Sequence, residues 1–322
     1  MKLFTSLITI ILMSILLLGC TNVNTESQSS NKLSIYTSVY PIQYIVERIG
    51  GDTVTTTSIF PPGVDAHTYE PTAKTMTTLA RSDAFIYFGT GMEGFTESIA
   101  EALESVDISL LELGEYEELF EEVEHHHVES NQVEPEEHEE HHHDGHNHGD
   151  HDPHIWIDPL RMAEMGHIIT EYLIELNPDQ KRLYEENFHL LELDLHQLDE
   201  AFSEELSKKK NKEILVSHAA YGYWEERYGI EQISINGLSS SSEPSQRDLV
   251  EIIEQAEASQ LQYVIVEQNT SSKVTEIIQE HIGAEALSIH NLAVLTEKDV
   301  KEKSDYLSIM RHNLSVLDLA TQ

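Results

Sequence analysis

Residues 178–208 read PDQKRLYEENFHLLELDLHQLDEAFSEELSK and predict one long amphipathic helix. Apolar residues recur in this stretch at spacings of three or four, which is the period of one helix face. The residues of this stripe are Tyr184, Phe188, Leu191, Leu195, Leu198, Phe202 and Leu206. At about 1.5 Å per residue the helix would span roughly 45 Å, which is long enough to pack along two domains and join them.

Short strand patterns alternate with helical patterns on both sides of this helix. Upstream, strands are predicted in KLSIYTSVYP, TVTTTSIF, AFIYFG and ISLLEL, and downstream in EILVS, EQISI, LQYVIVE and ALSI. Alternating strands and helices indicate a parallel sheet that is covered by helices on both faces. The sequence therefore predicts an α/β protein of two lobes, each a mostly parallel sheet flanked by helices, joined by one long rigid helix.

The N-terminus has the pattern of an export signal. Lys2 precedes an apolar run from Leu3 to Leu18, which is shorter than the ~20 residues of a membrane span. Cys20 is the only cysteine, so it has no internal disulfide partner. The pattern resembles a bacterial lipoprotein signal, which implies cleavage before Cys20 and attachment of lipid there. The polar residues that follow are typical of a flexible tether.

Acidic residues and histidines are concentrated in one segment. The chain has 58 Asp and Glu against 19 Lys and Arg, and its net charge of -39 argues against nucleic acid as a partner. Residues 101–152 alone contain 19 Asp and Glu, ten His and no Lys or Arg. The part from about 115 to 152 lacks apolar periodicity, so it is predicted to be a disordered loop. Its histidines are candidates for auxiliary metal binding of low selectivity: His125, His126, His127, His138, His141, His142, His143, His146, His148 and His151.

These patterns divide the chain into five segments. The disordered loop interrupts the first lobe, and the long helix separates the first lobe from the second. The predicted boundaries are a lipoprotein signal peptide at 1–19, a flexible tether at 20–32, an N-terminal α/β lobe at 33–176, the linking helix at 177–210 and a C-terminal α/β lobe at 211–322. Because a stiff helix joins the lobes, little hinge motion is expected, and ligand release would involve local loop movement.

Three histidines stand at or near the ends of predicted strands or turns. His67 follows TSIF in a Pro-Pro-Gly turn, His218 follows EILVS, and His154 lies in DPHIWIDP. Ligands of open α/β sheets bind outside the carboxyl ends of the strands. Three imidazoles with room for one further ligand suit Zn²⁺. The histidines in or beside helical patterns are interpreted as surface or packing residues: His167, His189, His196, His281, His290 and His312.

Several motifs occur together, in order, from about residue 33 to the C-terminus: PPGVDAHTYEP, the His-rich loop, DPHIWIDP, LVSHAAYGY and SDYLSIMRHNL. With the lipoprotein signal, they resemble the zinc-specific substrate-binding proteins of bacterial ABC importers. The resemblance implies two lobes joined by a single long helix, with Zn²⁺ as the transported ligand in the cleft between them. It implies His67, His154 and His218 as the metal ligands. The implied partners are an ABC permease and its ATPase, with the chain held on the outer face of the cell membrane by lipid on Cys20, as a monomer.

The fourth metal ligand is left open. Some zinc-binding members of this family supply a glutamate where this chain has Ala293. A water, Glu267 at the end of YVIVE, or more remotely His290 could take this position, and water is favoured. Manganese-binding relatives have a carboxylate where this chain has His218, and imidazole nitrogen favours zinc over manganese.

Two other functions are weighed against zinc transport. The His-rich loop could itself be the functional element, in a zinc buffer, a sensor or a surface adhesin. Three histidines and a water also describe the site of a zinc hydrolase, but the chain has no HExxH helix, and HEEHHH lies in the predicted loop. The leading prediction is a binding protein and not an enzyme. Its zinc affinity should fall as the pH drops through the histidine range near ~6.5, because the ligands must be deprotonated.

Overall fold

The structure is a computed structural model that describes residues 32–89, 91–103, 106–121, 151–239, 244–268 and 273–321.

The first lobe contains a parallel four-stranded sheet. The strands are β1 (Leu33–Thr37), β2 (Val54–Ser58), β3 (Ala84–Tyr87) and β4 (Ser109–Glu112). Their order in the sheet is β2-β1-β3-β4. The helices of this lobe are α1 (Tyr40–Gly50), α2 (Ala73–Leu79), α3 (Thr96–Leu103) and α4 (Pro159–Leu176).

The predicted long helix is confirmed as α5 (Lys181–Leu206), which follows a short 3-10 turn at Pro178–Gln180. Its 26 residues span about 39 Å. It packs against α1 and α4 of the first lobe. Phe188 is half-buried over Gly166. The other residues of the predicted stripe are buried: Tyr184, Leu191, Leu195, Leu198, Phe202 and Leu206.

The second lobe repeats the architecture of the first. Its strands are β5 (Glu213–His218), β6 (Glu231–Asn236), β7 (Tyr263–Glu267) and β8 (Glu285–Ile289). They form a parallel sheet in the order β6-β5-β7-β8. The helices are α6 (Gly222–Tyr228), α7 (Gln246–Ala258), α8 (Lys273–Ile282), α9 (Glu297–Glu302) and α10 (Tyr306–Ala320). The predicted α/β fold of two lobes is thereby confirmed.

One large apolar core extends across both lobes, and a smaller cluster lies within the second lobe. Helix α5 contacts α10 as well as α1 and α4, so it lies along both lobes. Buried hydrogen bonds also cross between them: the Tyr306 hydroxyl donates to the Trp156 carbonyl at 2.7 Å, and the Trp224 indole donates to the Ile157 carbonyl at 2.8 Å. Both tryptophans and Tyr306 are completely buried. The chain that precedes α4 is therefore attached to the second lobe.

The disordered His-rich loop was predicted at about residues 115–152, but both ends of this range belong to the described, folded chain. Residues Leu113–Glu115 and Glu117–Leu119 form 3-10 turns, and the described chain continues to 121 and resumes at 151. The first end is ordered because the buried guanidinium of Arg161 donates to the carbonyls of Leu119 and Glu121 at 2.8 and 2.6 Å. Residues 122–150 lie outside the described residues, and so do residues 1–31 with Cys20.

Helix α9 was not predicted. It is short and polar, so it has no apolar periodicity, but Thr296 and Asp299 form a capping box at its start. That pair is the sequence signal that would have located it. None of the helices in the described part of the chain is long and apolar enough to cross a bilayer.

Candidate metal centre

His67 lies in the turn that follows β2. Its backbone N–H donates to the Asp65 carboxylate at 2.8 Å, and the Asp65 carbonyl accepts from Tyr69 N at 3.0 Å. The Tyr69 ring packs edge-on against Phe60, with ring centroids 5.5 Å apart. Hydrogen bonds and an aromatic contact therefore hold the turn, and His67 remains half-buried.

His154 comes directly before the 3-10 turn Ile155–Ile157 that leads into α4. Its ring is completely buried. Its Nδ1 lies 2.7 Å from the Asp152 carboxylate, and the same oxygen accepts from its backbone N–H at 3.0 Å. Because a carboxylate accepts, Nδ1 carries the proton and donates it. The buried Nε2 has no hydrogen-bond partner among the described residues, so its lone pair is available to a metal.

His218 is the last residue of β5, and Glu267 is the last residue of the neighbouring strand β7. Because the strands are parallel, their carboxyl ends meet at one edge of the sheet, and His218 Nδ1 lies 2.6 Å from Glu267 Oε1. Glu267 also accepts from the Tyr221 hydroxyl at 3.0 Å and from Asn291 Nδ2 at 2.8 Å. The other ring nitrogen of His218 is 3.1 Å from the Leu238 carbonyl.

The three histidines meet between the lobes. One ligand atom from each of His67, His154 and His218 lies within 4.8 Å of the other two, and no other such group of metal-binding side chains occurs in the described ranges. The ring centroids are separated by 5.5, 5.7 and 4.9 Å. A tetrahedral Zn²⁺ with Zn–N distances near ~2.1 Å places two ligand nitrogens about 3.4 Å apart. Small side-chain movements would therefore complete the cluster around one ion.

The surroundings of His67 and His218 shift the pKa values of these two side chains in opposite directions. Burial, together with the neighbouring His154 and His218, lowers the pKa of His67 to about 4. Burial also acts to lower the pKa of His218, but the hydrogen bond and the negative charge of Glu267 outweigh it and raise that pKa above its usual value. His67 is therefore neutral, as a metal ligand must be, over the whole physiological pH range.

The other candidate metal ligands from the sequence were Glu267, His290 and the ten loop histidines. Glu267 is not part of the three-histidine group, because its carboxylate is the partner of His218. The nitrogens of His290 are both engaged: Nδ1 accepts from Leu292 N at 2.8 Å, and Nε2 lies 3.2 Å from Asp299. Of the ten predicted loop histidines, His151 is described, and its ring stacks on Phe120 with centroids 4.8 Å apart. The other nine lie outside the described residues.

A family model described as zinc-uptake complex component A, periplasmic (ZnuA), matches residues 35–320 of the chain. The chain belongs to the ZnuA family. The match covers both sheets, the linking helix and all three histidines of the site. The description of this family is that of a periplasmic component of a zinc-uptake complex.

Relatives within the ZnuA family match most of the chain. The chain is 30% identical to the zinc-binding lipoprotein AdcA of Streptococcus pneumoniae, over 98% of its own length and 60% of that protein. It is 29% identical to the high-affinity zinc uptake system protein ZnuA of Bacillus subtilis, over 94% of its length and 93% of that protein. The Zn(II)-bound ZnuA-like domain of Streptococcus pneumoniae AdcA superposes with a TM-score of 0.70 and 28% identity, covering 90% of this chain and 99% of that one. The chain thus spans about three fifths of the length of AdcA.

Sequence reasoning missed the groups that surround the ligands. Asp152 was assigned to the disordered loop, although it stands two residues before His154 and bonds to it. Tyr221 and Asn291, which hold Glu267, were not singled out. A carboxylate near a metal-binding histidine is the signal that could have found Asp152, because such histidines commonly donate their second N–H to a carboxylate.

Proposed function

We propose that this chain captures Zn²⁺ in the cleft between its lobes and delivers it to an ABC permease and its ATPase for import. The observation that carries the proposal is the meeting of three imidazoles from separate segments, with the buried Nε2 of His154 left without a partner. The proposed ligands are His67, His154 and His218. Membership of the ZnuA family supports zinc as the cargo, and so does the nitrogen-only ligand set.

Water is the proposed fourth ligand. A cavity of about 20 Å³ lies beside His67 and His218 and is lined also by Glu267 and Ala293. About 10–15 Å³ is enough for one water molecule. The methyl group of Ala293 cannot coordinate a metal. Both Glu267 oxygens accept hydrogen bonds, so in this proposal Glu267 orients His218 instead of binding zinc.

The proposed location is the outer face of the cell membrane, with a lipid anchor on Cys20. The support is the sequence pattern before Cys20 and the description of the relative AdcA as a lipoprotein. The chain would act as a monomer without nucleic acid, which its net charge of -39 disfavours as a partner. In the same proposal the His-rich segment is an auxiliary zinc binder and not the transport site.

Neither alternative function is favoured by the site. A zinc hydrolase needs a general base beside the metal-bound water. The carboxylates next to the three histidines are engaged otherwise: Asp65 with the backbone N–H of His67, Asp152 with His154, and Glu267 with His218 and Tyr221. A buffer or adhesin that acts through the His-rich loop would not require a buried cluster of three histidines between the lobes.

The test is a competitive zinc titration of the chain without residues 125–151, beside the same protein with His67→Ala. The proposal predicts that the deletion retains one tight zinc site and that His67→Ala removes it. His189→Ala is the matched control, because His189 is exposed on α5 and should leave the affinity unchanged. If the deletion of residues 125–151 alone removed tight zinc binding, the His-rich segment would be the functional site. That result would contradict the proposed site in the cleft.

A second measurement addresses delivery. Cells that lack their own copy of the chain should regain growth in zinc-chelated medium when they carry the full chain, but not when it carries His67→Ala. Growth restored equally by both proteins would separate import from the cleft and contradict the proposal.

A further inference from the structure

Asp152 connects His154 with the second lobe: its carboxylate bonds to His154, and its backbone carbonyl bonds to Tyr223. One of its oxygens holds His154 twice, through the ring Nδ1 at 2.7 Å and through the backbone N–H at 3.0 Å. A single side chain therefore determines both the position of the His154 backbone and the orientation of its ring.

Asp152 is itself held by helix α6. The Tyr223 hydroxyl donates to the Asp152 carbonyl at 2.7 Å. The guanidinium carbon of Arg161 lies 4.6 Å from the centroid of the Tyr223 ring, and Nη2 of Arg161 donates to both carboxylate oxygens of Glu226 at 2.7 and 2.9 Å. Because Arg161 is almost completely buried, this arrangement fixes Tyr223 and, through it, the Asp152 backbone.

Gly222 supplies independent evidence for the close approach of Asp152. A Cβ built at Gly222 would lie 2.8 Å from Asp152 Oδ2, closer than real Cβ contacts. Gly222 is the first residue of α6 and does not have a positive φ, so its backbone conformation does not require glycine. The glycine instead leaves space for the carboxylate against the helix.

We propose that Asp152 is a positioning residue for zinc capture, which fixes the Nδ1–H tautomer of His154 and aims its Nε2 at the ion, while Gly222 and Tyr223 set the place of Asp152. The inference rests on the proposed zinc site. A neutral imidazole exists as two tautomers, and only the one with an unprotonated Nε2 can ligate from that atom. Without the carboxylate, His154 populates the other tautomer and other ring orientations. Loss of such a partner typically weakens metal binding about 10–100-fold.

Three variants of the full chain test this role. Asp152→Ala removes the carboxylate, and Gly222→Ala introduces a methyl group where the carboxylate lies. Tyr223→Phe removes only the hydrogen bond to the Asp152 carbonyl. The first readout is the tautomer of His154 in the zinc-free protein at alkaline pH, from long-range ¹H–¹⁵N NMR of the imidazole nitrogens. The second is the zinc dissociation constant by competitive titration.

Two matched variants control for the chemistry of the substitutions. Gly94→Ala adds a Cβ that meets nothing within 4 Å. Tyr228→Phe removes a hydroxyl of the same helix that donates to Asp199 at 2.9 Å, away from the site. Both controls should keep the zinc affinity and the His154 tautomer of the unmodified chain.

The expected result is a zinc affinity about 10–100-fold weaker for Asp152→Ala, with His154 no longer confined to the Nδ1–H tautomer. Gly222→Ala should weaken zinc binding without lowering Tm, because alanine favours the helix and Asp152 Oδ2 is the mobile end of a side chain. Tyr223→Phe should weaken binding less than either variant.

A His154 tautomer unchanged by Asp152→Ala, or a dissociation constant within about twofold of the unmodified chain, would overturn the inference. The tautomer is measured without zinc, so it reports on Asp152 even if the cleft fails to bind zinc. Failure of the zinc site itself would appear separately, as the absence of a tight site in the unmodified chain.

Discussion

The buried carboxylate of Glu93 should make the stability of the protein depend on pH. Glu93 is 2% exposed in the connection between β3 and α3, where its oxygens accept from the backbone N–H groups of Phe88 and Gly89 at 3.3 and 2.8 Å. Burial raises the pKa of Glu93 from 4.5 to about 7, although these hydrogen bonds act to lower it. The proposed substitution is Glu93→Gln, which keeps the shape of the side chain and cannot ionise.

The sign and size of the effect follow from linkage. Above pH 4.5 the unfolded chain ionises Glu93, whereas the folded chain keeps the proton up to about pH 7. The folded state therefore binds more protons, and its stability falls as the pH rises through this window. At 1.36 kcal/mol per pKa unit, the whole contribution is about 3 kcal/mol, of which about 2.5 kcal/mol is lost between pH 5 and 8.

Urea unfolding of the zinc-free protein, followed by circular dichroism at pH 5 and pH 8, measures the effect. The penalty of Glu93→Gln should shrink by about 2.5 kcal/mol from the lower to the higher pH. The absolute penalty is not the readout, because glutamine also changes the hydrogen bonds to Phe88 and Gly89. Glu204→Gln, at an exposed position on α5, controls for the loss of one negative charge.

Parallel dependences of the unfolding free energy on pH for the unmodified chain and Glu93→Gln would contradict this prediction. They would mean that Glu93 titrates alike in the folded and unfolded states, and that burial does not perturb it. A penalty that grew with pH would reverse the sign and have the same consequence.

Three further substitutions test the core, a turn and the site. Phe202→Ala should lower the free energy of unfolding by about 3–5 kcal/mol in a urea titration, because this completely buried ring on α5 would leave a cavity. Gly89→Ala should lower Tm and cost more than about 1 kcal/mol, because φ is +77° there and the added Cβ would collide with the Glu112 carboxylate. Glu267→Gln should weaken zinc binding about 10–100-fold in a competitive titration while circular dichroism stays unchanged, because an amide replaces the charged partner of His218.

The element order could be predicted because it depends on local patterns. The apolar stripe of α5 needs only the period of a helix, and the eight strands were each located by a short apolar run. The prediction of disorder from about residue 115 was wrong at that end. The polar segment there is ordered by hydrogen bonds from Arg161, which lies more than 40 positions after residue 115. A composition-based prediction of disorder cannot include a distant cation that binds backbone carbonyls.

The candidate site could be predicted only in part, because strand ends and motifs are local signals whereas contacts between distant residues are not. His67 and His218 were selected because ligands gather at the carboxyl ends of parallel strands, a rule that needs only the strand positions. His154 was selected from its motif, and its ring is oriented by a carboxylate two residues away. Glu267 was considered as a metal ligand, but 49 positions separate it from the histidine that it contacts.

The pattern of residues along the chain therefore established the two sheets, the long helix and which histidines to examine, because periodicity and strand ends are local properties. The folded chain established that these histidines meet, that Nε2 of His154 is left without a partner, and that Asp152 and Glu267 hydrogen-bond to two of the rings. These contacts depend on the packing of the lobes around α5. They also depend on the segment before α4, which hydrogen-bonds to Trp224 and Tyr306 of the second lobe. Contacts between residues far apart in sequence arise from the summed packing of many side chains, and no single stretch of the chain contains them.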